Sequence, residues 1–323
     1  VAALLEVEGL SVRLATAHGH VTVVNGVDFA VEEGQVFGVA GESGSGKTMS
    51  ALAILQLLPP RAIVEGRVLY RGRDLFSLRG TALREVRGRE IAMVFQDPLT
   101  SLHPMLNIGK ALTEHLRHHL GVSRSAARAR AIEVLDEVRI PDPEGALSAY
   151  PHQFSGGMRQ RIAIAVALIC GPGLLIADEP TTALDVTVQA GIIRLIDRLR
   201  AEAGLSVLLI THDLGVMSSI ADQLAVMYAG RIVESGVTRD VIQRPRHPYT
   251  GGLLAALPHP ERDTQRPLVA IPGSPASPTD PPPGCAFHSR CAYAVDACRA
   301  EVPPLLTIGD RRLACPVDPF DAA

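Results

Sequence analysis

The segment Gly41-Glu42-Ser43-Gly44-Ser45-Gly46-Lys47-Thr48 constrains this chain more than any other stretch of it. Its spacing is G-x-x-x-x-G-K-[ST], between an apolar run, Val36–Ala40, and a helical pattern that begins at Lys47. Closely spaced glycines let successive backbone N–H groups turn inward around an anion. A helix N-terminus behind them adds partial positive charge. In such a loop Lys47 reaches the β- and γ-phosphates of a nucleotide, and the Thr48 hydroxyl can hold Mg²⁺. Gly41, Ser43, Gly44, Ser45, Gly46, Lys47 and Thr48 are therefore candidate phosphate contacts. Lys47 and Lys110 are the only lysines, against 29 arginines, so a compact ammonium is kept at this loop.

The surrounding pattern sets the fold class. Apolar and β-branched runs predict strands at Ala3–Leu14, Thr22–Phe29, Val36–Ala40, Gly66–Tyr70, Ile91–Phe95, Leu174–Asp178, Ser206–Thr211, Gln223–Tyr228 and Arg231–Glu234. Helical periodicity predicts helices at Lys47–Leu57, Ile108–His119, Arg124–Val138, Ser155–Cys170, Thr187–Ala203 and Leu214–Ile220. Such alternation makes an α/β core. Residues 97–160 carry helical patterns and no strand, which predicts a helical insertion. With 47% hydrophobic and 20% charged residues, the 323-residue chain can bury a core and is not disordered throughout. A net charge of −3 argues against a general nucleic-acid surface. The most apolar stretch, Ile162–Ala177, is broken by Gly171-Pro172-Gly173 and is too short for a membrane span. No basic segment followed by an apolar run opens the chain, so no secretory signal is expected.

A second chemical feature is the apolar run Leu174–Ala177 that ends in Asp178-Glu179. A strand buried on both faces reads as continuously apolar, and open α/β sheets bind ligands at the C-terminal ends of their strands. Asp178 suits a Mg²⁺ ligand. Glu179 suits a base that orients or deprotonates an attacking water.

Between these motifs lies Phe154-Ser155-Gly156-Gly157-Met158-Arg159-Gln160-Arg161, which resembles the signature motif of ABC-transporter ATPases. Gln96 in Val94-Phe95-Gln96-Asp97-Pro98 resembles the Q-loop. Thr182-Ala183-Leu184-Asp185 resembles the D-loop, and His212 in Ile210-Thr211-His212-Asp213 the switch histidine. GESGSGKT, VFQDPLTSLHP, FSGGMRQRIAIA and Arg244-Pro245-Arg246-His247-Pro248-Tyr249-Thr250 resemble the ATP-binding subunits of dipeptide and oligopeptide importers. Met158 is similar to one of the two paralogous ATPases such importers often carry. The resemblance implies a P-loop NTPase cassette over residues 1–244, with a RecA-like α/β core, an antiparallel β subdomain and a helical subdomain at about 97–160. It implies an ATPase that uses ATP and Mg²⁺, with Thr48, Gln96 and Asp178 at the metal and Glu179, His212 and Gln96 catalytic. Ser155, Gly156 and Gly157 would serve the nucleotide of a second, paralogous ATP-binding subunit, and Asp185 is a further implied nucleotide-site residue. The other implied partners are two transmembrane permeases and, indirectly, an extracytoplasmic solute-binding protein. The implied place is the cytoplasmic face of the membrane. The alternatives are a soluble ABC ATPase of another class and an importer of a different solute such as nickel or another small chelate. One cassette and no heptad run disfavour the soluble classes.

One departure concerns the base. The family stacks adenine on an aromatic residue upstream of the loop lysine, and no Phe, Tyr or Trp precedes Phe29 here. His18 or His20, or aliphatic side chains, would have to substitute. His103, His115, His118, His119 and His152 are expected to be solvated or structural, and a metal reading of the pair His118-His119 is rejected because adjacent helical residues point apart. The run Arg61–Arg89, with eight arginines, reads as a solvated surface and not a nucleic-acid patch.

From Pro245 onward the chain holds 15 of its 24 prolines, and within this extension, residues 245–323, the stretch Pro267–Gly284 is predicted to be extended and poorly packed. Four of the five cysteines lie there: Cys285, Cys291, Cys298 and Cys315, spaced C-x5-C-x6-C-x16-C. Cys291 and Cys298 would share a helix face if the segment were helical. Four thiols without an export signal suggest a metal site. The resemblance extends to relatives that hold a [4Fe–4S] cluster in this region. Zinc is the second choice, and free thiols or a disulfide the third. Cys170 reads as a small core residue in an apolar helix. A redox or iron sensor that gates transport is a further reading of this extension.

Overall fold

The computed structural model describes residues 3–17, 19–97, 101–182, 184–257 and 270–319. His18, Pro98, Ala183 and the start of Pro267–Gly284 lie outside the described residues. The strands, in chain order, are β1 (Leu5–Thr16), β2 (Gly19–Val31), β3 (Val36–Ala40), β4 (Ile63–Tyr70), β5 (Arg73–Asp74), β6 (Ile91–Val94), β7 (Leu174–Asp178), β8 (Ser206–Thr211), β9 (Gln223–Tyr228), β10 (Arg231–Val237), β11 (Leu306–Ile308) and β12 (Arg311–Leu313). The chain divides into two compact units, one built from Val31–Gln35 and Ser77–Ile210, the other from Ala3–Ala30, Val36–Phe76 and Thr211–Ala323.

In the first unit, β6, β7 and β8 run parallel, with Ile91 opposite Leu174 and Leu174 opposite Ser206. Every residue of β7 and β8 is buried, as their unbroken apolar runs require. The described residues between β6 and β7 form helices and no strand: Ile108–Leu120, Arg124–Glu137, Pro143–Ala146 and Gly156–Leu168. All four of these helices start where a side chain replaces a missing backbone acceptor. Asn107 Oδ1 accepts the Lys110 N–H at 2.8 Å, and Ser123 Oγ that of Ala126 at 3.2 Å. Ile108, Leu112 and Leu116, spaced four apart, are buried, as are Ala127, Ala131, Val134 and Leu135 of the next helix. In the first of these helices the His115 and His119 rings lie 4.7 Å apart and those of His118 and His119 5.1 Å apart, edge to face. The expectation that His118 and His119 point apart fails, because side-chain torsions can bring neighbouring rings together at their outer ends. Burial lowers the pKa of both His115 and His119, and neighbouring positive charge adds to this.

The second unit holds an antiparallel sheet ordered β2-β1-β4-β5 and a second arrangement ordered β11-β12-β10-β9-β3. β3 and β9 are parallel, with Phe37 opposite Gln223. Tyr228 and Arg231 pair across Ala229-Gly230, both with positive φ (46° and 82°), the two-residue turn that suits a twisted hairpin. β10 then pairs antiparallel with β12, and β12 with β11. Part of the extension, Leu306–Ile308 and Arg311–Leu313, is thus added to a sheet, two strands not predicted from the sequence. Its three-residue strands are too short to leave an alternating pattern in the sequence. The short helices Gly80–Glu85, Thr238–Gln243, Pro248–Ala255 and Asp296–Ala300 also went unpredicted. The helix at Lys47 ends at Ile54, short of Leu57, since Gln56 takes a left-handed φ of 52°. Seven of the eight arginines in the run from Arg61 to Arg89 are exposed, and Arg87 is half-buried.

The segment from Arg244 to Thr250 is a structural knot. The Glu234 carboxylate, wholly buried, accepts the N–H groups of Arg246 at 2.9 Å and His247 at 3.0 Å, with Arg311 Nη1 at 3.5 Å. Arg246 also pairs with Asp318. His247 is 1% exposed, and its Nδ1 accepts the Tyr249 N–H at 3.0 Å. Burial holds its pKa down at about 4, against 6.5 when solvated. The folded chain therefore resists a proton that the unfolded chain accepts. Stability is lost as pH falls from 6.5 toward 4, by up to about 3 kcal/mol. Burial raises the pKa of Glu234, so that group acts with the opposite sign and stabilises the fold as pH falls through its folded value. His247→Asn, whose amide oxygen can accept the same N–H, should flatten the melting temperature between pH 6.5 and 4. An unchanged slope in the variant would assign the acid sensitivity elsewhere.

Candidate functional site

β3 delivers the chain into the Gly41–Thr48 loop, and the loop's backbone demands its glycines. A Cβ on Gly41 (φ +151°) would lie 2.2 Å from the Met227 carbonyl oxygen, and one on Gly46 (φ +104°) 2.5 Å from that of Val23. Gly46 is the N-cap of the helix Lys47–Ile54, and no side chain caps that end, so the partial positive charge of the helix is directed at the loop. Lys47 is 6% exposed. Its Nζ folds back over the loop and donates to the carbonyls of Gly41 at 2.7 Å and Glu42 at 3.0 Å. The Ser45 hydroxyl is buried and, among the described residues, has no hydrogen-bond partner. Buried polar groups are almost always satisfied, so this donor fits a loop shaped to receive an anion. Ser43 and Gly44 are exposed and Thr48 is half-buried.

Beside Gly44 opens a cavity of about 330 Å³, lined by His20, Val21 and Val23 of β2 and by Pro278, Thr279 and Pro281 of the extension. His20 is thus the histidine that faces the phosphate loop's neighbourhood; the extension's contribution left no signal in the sequence. Tyr249 was missed as well: its hydroxyl accepts the Glu42 N–H at 2.9 Å. The motif around it was visible, but not its partner.

In the other unit, Asp178 ends β7 and is 1% exposed. Glu179 follows with φ 49°, a left-handed conformation that costs a non-glycine residue roughly 1–3 kcal/mol. Two bonds hold it there. Its N–H donates to the Ile210 carbonyl at 2.8 Å, and its Oε2 accepts the Thr182 hydroxyl at 2.9 Å. Gln96 is exposed in the bend just beyond β6. Ser155 caps the helix Gly156–Leu168, its Oγ accepting the Met158 N–H at 3.4 Å. Gly157 packs so near the helix Val186–Ala203 that an added Cβ would lie 2.5 Å from Val188 Cγ1. Asp185 caps that second helix, accepting the Val188 N–H at 3.0 Å. The structure thus brings the serine-glycine turn and Asp185 into one neighbourhood. His212 is exposed after β8, in the unit that carries Lys47, and Asp213 beside it caps the next helix by accepting from Gly215 at 2.8 Å and Val216 at 3.2 Å.

The four cysteines of the extension are thiols. Cys298 is buried and the other three half-buried. Cys291 follows the turn His288–Arg290, whereas Cys298 lies in the short helix Asp296–Ala300, so they do not share one helix face. The Cys285 N–H donates to the Cys298 carbonyl at 2.8 Å. Burial raises the pKa of Cys285, Cys291 and Cys315. Backbone N–H groups oppose this: Phe287 toward Cys285, Tyr293 toward Cys291, and Asp318 and Val317 toward Cys315. The thiols of all four also act on one another electrostatically. Among the described residues, however, no group of three or more His, Cys, Asp or Glu is placed to hold a metal ion. A zinc ion and an iron–sulfur cluster alike need their ligands converging on one centre, and the four thiols as placed do not provide it. Cys170 lies in the turn beyond the helix that was expected to contain it, and burial pushes its pKa up to about 11.

Comparison with known proteins agrees with this arrangement. Residues 24–182 match the family model described as ABC transporter, and residues 233–298 the model described as oligopeptide/dipeptide transporter, C-terminal region. The chain is 47% identical to the oligopeptide transport ATP-binding protein OppD of Bacillus subtilis (strain 168), over 95% of this chain and 86% of that protein. It is 49% identical to a putative peptide import ATP-binding protein of Brucella abortus (strain 2308), over 98% of this chain and 95% of that one. A bacterial ABC transporter cassette solved as a dimer superimposes with a TM-score of 0.65 at 27% identity, covering 73% of this chain and 99% of that one. Among the described residues no helix is long and apolar enough to cross a membrane. A phosphate loop with its lysine in place, a carboxylate pair closing a buried strand and this degree of kinship lead to one conclusion: the chain belongs to the ATP-binding subunits of the oligopeptide/dipeptide ABC transporter family, and it is an ATPase.

Proposed function

We propose that this chain binds and hydrolyses ATP at the cytoplasmic face of a membrane to drive uptake of dipeptides and oligopeptides through two permease subunits. An extracytoplasmic binding protein would deliver the peptide to them. The observation that carries the nucleotide reading is the loop itself, with Lys47 buried against its own carbonyls and Ser45 buried without a partner among the described residues. A phosphate can take over the contacts that Lys47 now makes, and it can accept from Ser45. Mg²⁺ would supply charge neutralisation, and the oxygen donors of Thr48, Gln96 and Asp178 suit that hard cation. Glu179 would take the proton of the attacking water at its carboxylate, oriented by the Thr182 hydroxyl. His212 and Gln96 would serve the same nucleotide. Ser155, Gly156, Gly157 and Asp185 would face the nucleotide of a second ATP-binding subunit. Residues 1–244 would form the cassette, 97–160 its helical part and 245–323 the extension, and His20 would lie against the base. Reconstituted with its permeases in vesicles, the chain should support ATP-dependent uptake of a labelled tripeptide. Uptake of nickel without peptide would overturn the peptide reading.

We further infer that Cys285, Cys291, Cys298 and Cys315 ligate a [4Fe–4S] cluster. What supports this reading is the set of four thiols in one extension, the backbone bond that ties Cys285 to Cys298, and the N–H groups directed at three of the sulfurs; among the described residues the thiols are not gathered around one centre. Serine at any one of the four should remove most of the iron and sulfide from anaerobically purified protein, and Cys170→Ser should not. Wild type with zinc alone, or with no metal, would end this reading. Loss of metal should leave β11 and β12 paired. It should also leave Phe287 packed at 5.3 Å from both Tyr228 and Tyr249, because these contacts need no metal.

A further inference from the structure

We propose that Arg290, in the cysteine-bearing extension, is a positioning residue for ATP binding, acting through Glu42 of the phosphate loop. This rests on the reading of Gly41–Thr48 as the ATP site. Arg290 and Glu42 form a two-pronged pair, Nη1 to Oε2 at 2.7 Å and Nη2 to Oε1 at 3.0 Å. Such forked guanidinium–carboxylate pairs fix direction as well as distance. The Arg290 side chain is only 4% exposed. Its Nε donates to the Pro272 carbonyl at 2.9 Å, and Nη1 lies 3.4 Å from the Tyr228 hydroxyl. Its guanidinium sits 5.8 Å from the centres of both the Tyr228 and Phe287 rings. A group held on so many sides cannot follow the loop; the loop must follow it.

Glu42 is gripped a second time, since its N–H donates to the Tyr249 hydroxyl at 2.9 Å. Its carbonyl receives Lys47 Nζ at 3.0 Å. One residue of the loop thus has its amide, its carbonyl and its side chain all engaged, and the lysine expected to meet phosphate is part of the same network. Two effects on ATP follow. The loop is held in shape before the nucleotide arrives, which spares ordering cost on binding. The Glu42 carboxylate, an anion within a loop built for anions, is neutralised and directed away from the phosphate seat. Arg290 lies between Cys285 and Cys291, one residue from the latter, so the state of that segment bears on the loop through this pair.

The test is a double-mutant cycle on the full chain, read as ATP affinity and as turnover at saturating ATP. Arg290→Met should weaken ATP binding roughly 10- to 100-fold, the range of one or two charge-assisted bonds, with little change in turnover once ATP is bound. Glu42→Gln should weaken it about threefold, as the amide keeps one acceptor for the guanidinium. In the Glu42→Gln background, adding Arg290→Met should cost about threefold or less, because no unneutralised carboxylate remains. An equal loss in both backgrounds would overturn the proposal and leave Arg290 a packing residue. Should Arg290→Met fail to fold, Arg290→Lys gives the same comparison. It keeps the charge and loses the fork, and wild-type affinity in that variant would equally overturn the positioning role. Wild-type chain that binds no ATP would instead refute the nucleotide reading of the loop.

Discussion

Glu179→Gln is expected to lower ATP turnover by roughly 10²–10⁴-fold while ATP still binds. The substitution keeps the shape of the side chain and its acceptor for the Thr182 hydroxyl, which lies at 2.9 Å. It removes only the basicity. The backbone should tolerate it, since the bond from the Glu179 N–H to Ile210 fixes the left-handed turn whatever the side chain. Glutamine at φ 49° is no more strained than glutamate. Because binding survives and hydrolysis does not, ATP-loaded protein should accumulate, and with it any dimer that ATP holds together. Single-turnover hydrolysis together with sedimentation in ATP measures both. Near-normal turnover would show that another group takes the proton.

Lys47→Ala should act at the earlier step and weaken ATP binding by about 10²-fold or more. An ammonium that makes two or three charge-assisted bonds to phosphate contributes roughly 1.5–3 kcal/mol for each. Lys47 donates to the carbonyls of Gly41 and Glu42, so its removal also loosens the loop's own closure. Arginine should fail as well. The site is 6% exposed, and a planar fork cannot take the place of a slim stem ending in a point charge. Titration with a fluorescent ATP analogue measures the effect, and retention of tight binding in Lys47→Ala would count against the loop as the phosphate seat. The two variants separate binding from chemistry, because Glu179→Gln should leave ATP binding largely intact and Lys47→Ala should not.

The sequence was legible where burial is complete and ends are sharp. Val36–Ala40, Leu174–Asp178, Ser206–Thr211 and Gln223–Tyr228 are strands over the residues their apolar runs mark, and Leu214–Ile220 is a helix over the residues predicted. The loop at Gly41–Thr48 was legible because its chemistry is local: strand, glycines, lysine and helix lie within a dozen residues. What could not be read is long-range pairing. Nothing near Glu42 announces Tyr249 or Arg290, and nothing in Pro278 or Thr279 announces a wall beside Gly44. The same holds for the extension, where proline content suggested slack chain. It is instead tied down by single buried residues such as Glu234, which gathers the neighbours Arg246 and His247 together with Arg311, 77 residues away. Composition reports how much a segment can bury by itself, and these ties are made with someone else's residues.

The pairing of β12 with β10 also bears on solubility. β10 carries Ile232 and Val233, buried in this structure at 4% and 8% exposure. A chain shortened to the cassette would present that strand with its outer N–H and C=O groups unpaired and apolar side chains alongside. Bare strand margins of this kind recruit other chains. The hairpin Leu306–Leu313 therefore works as a guard rail for the sheet, whatever the cysteines beside it hold. Its own outer strand, β11, is three residues long, too short to offer a new chain much purchase.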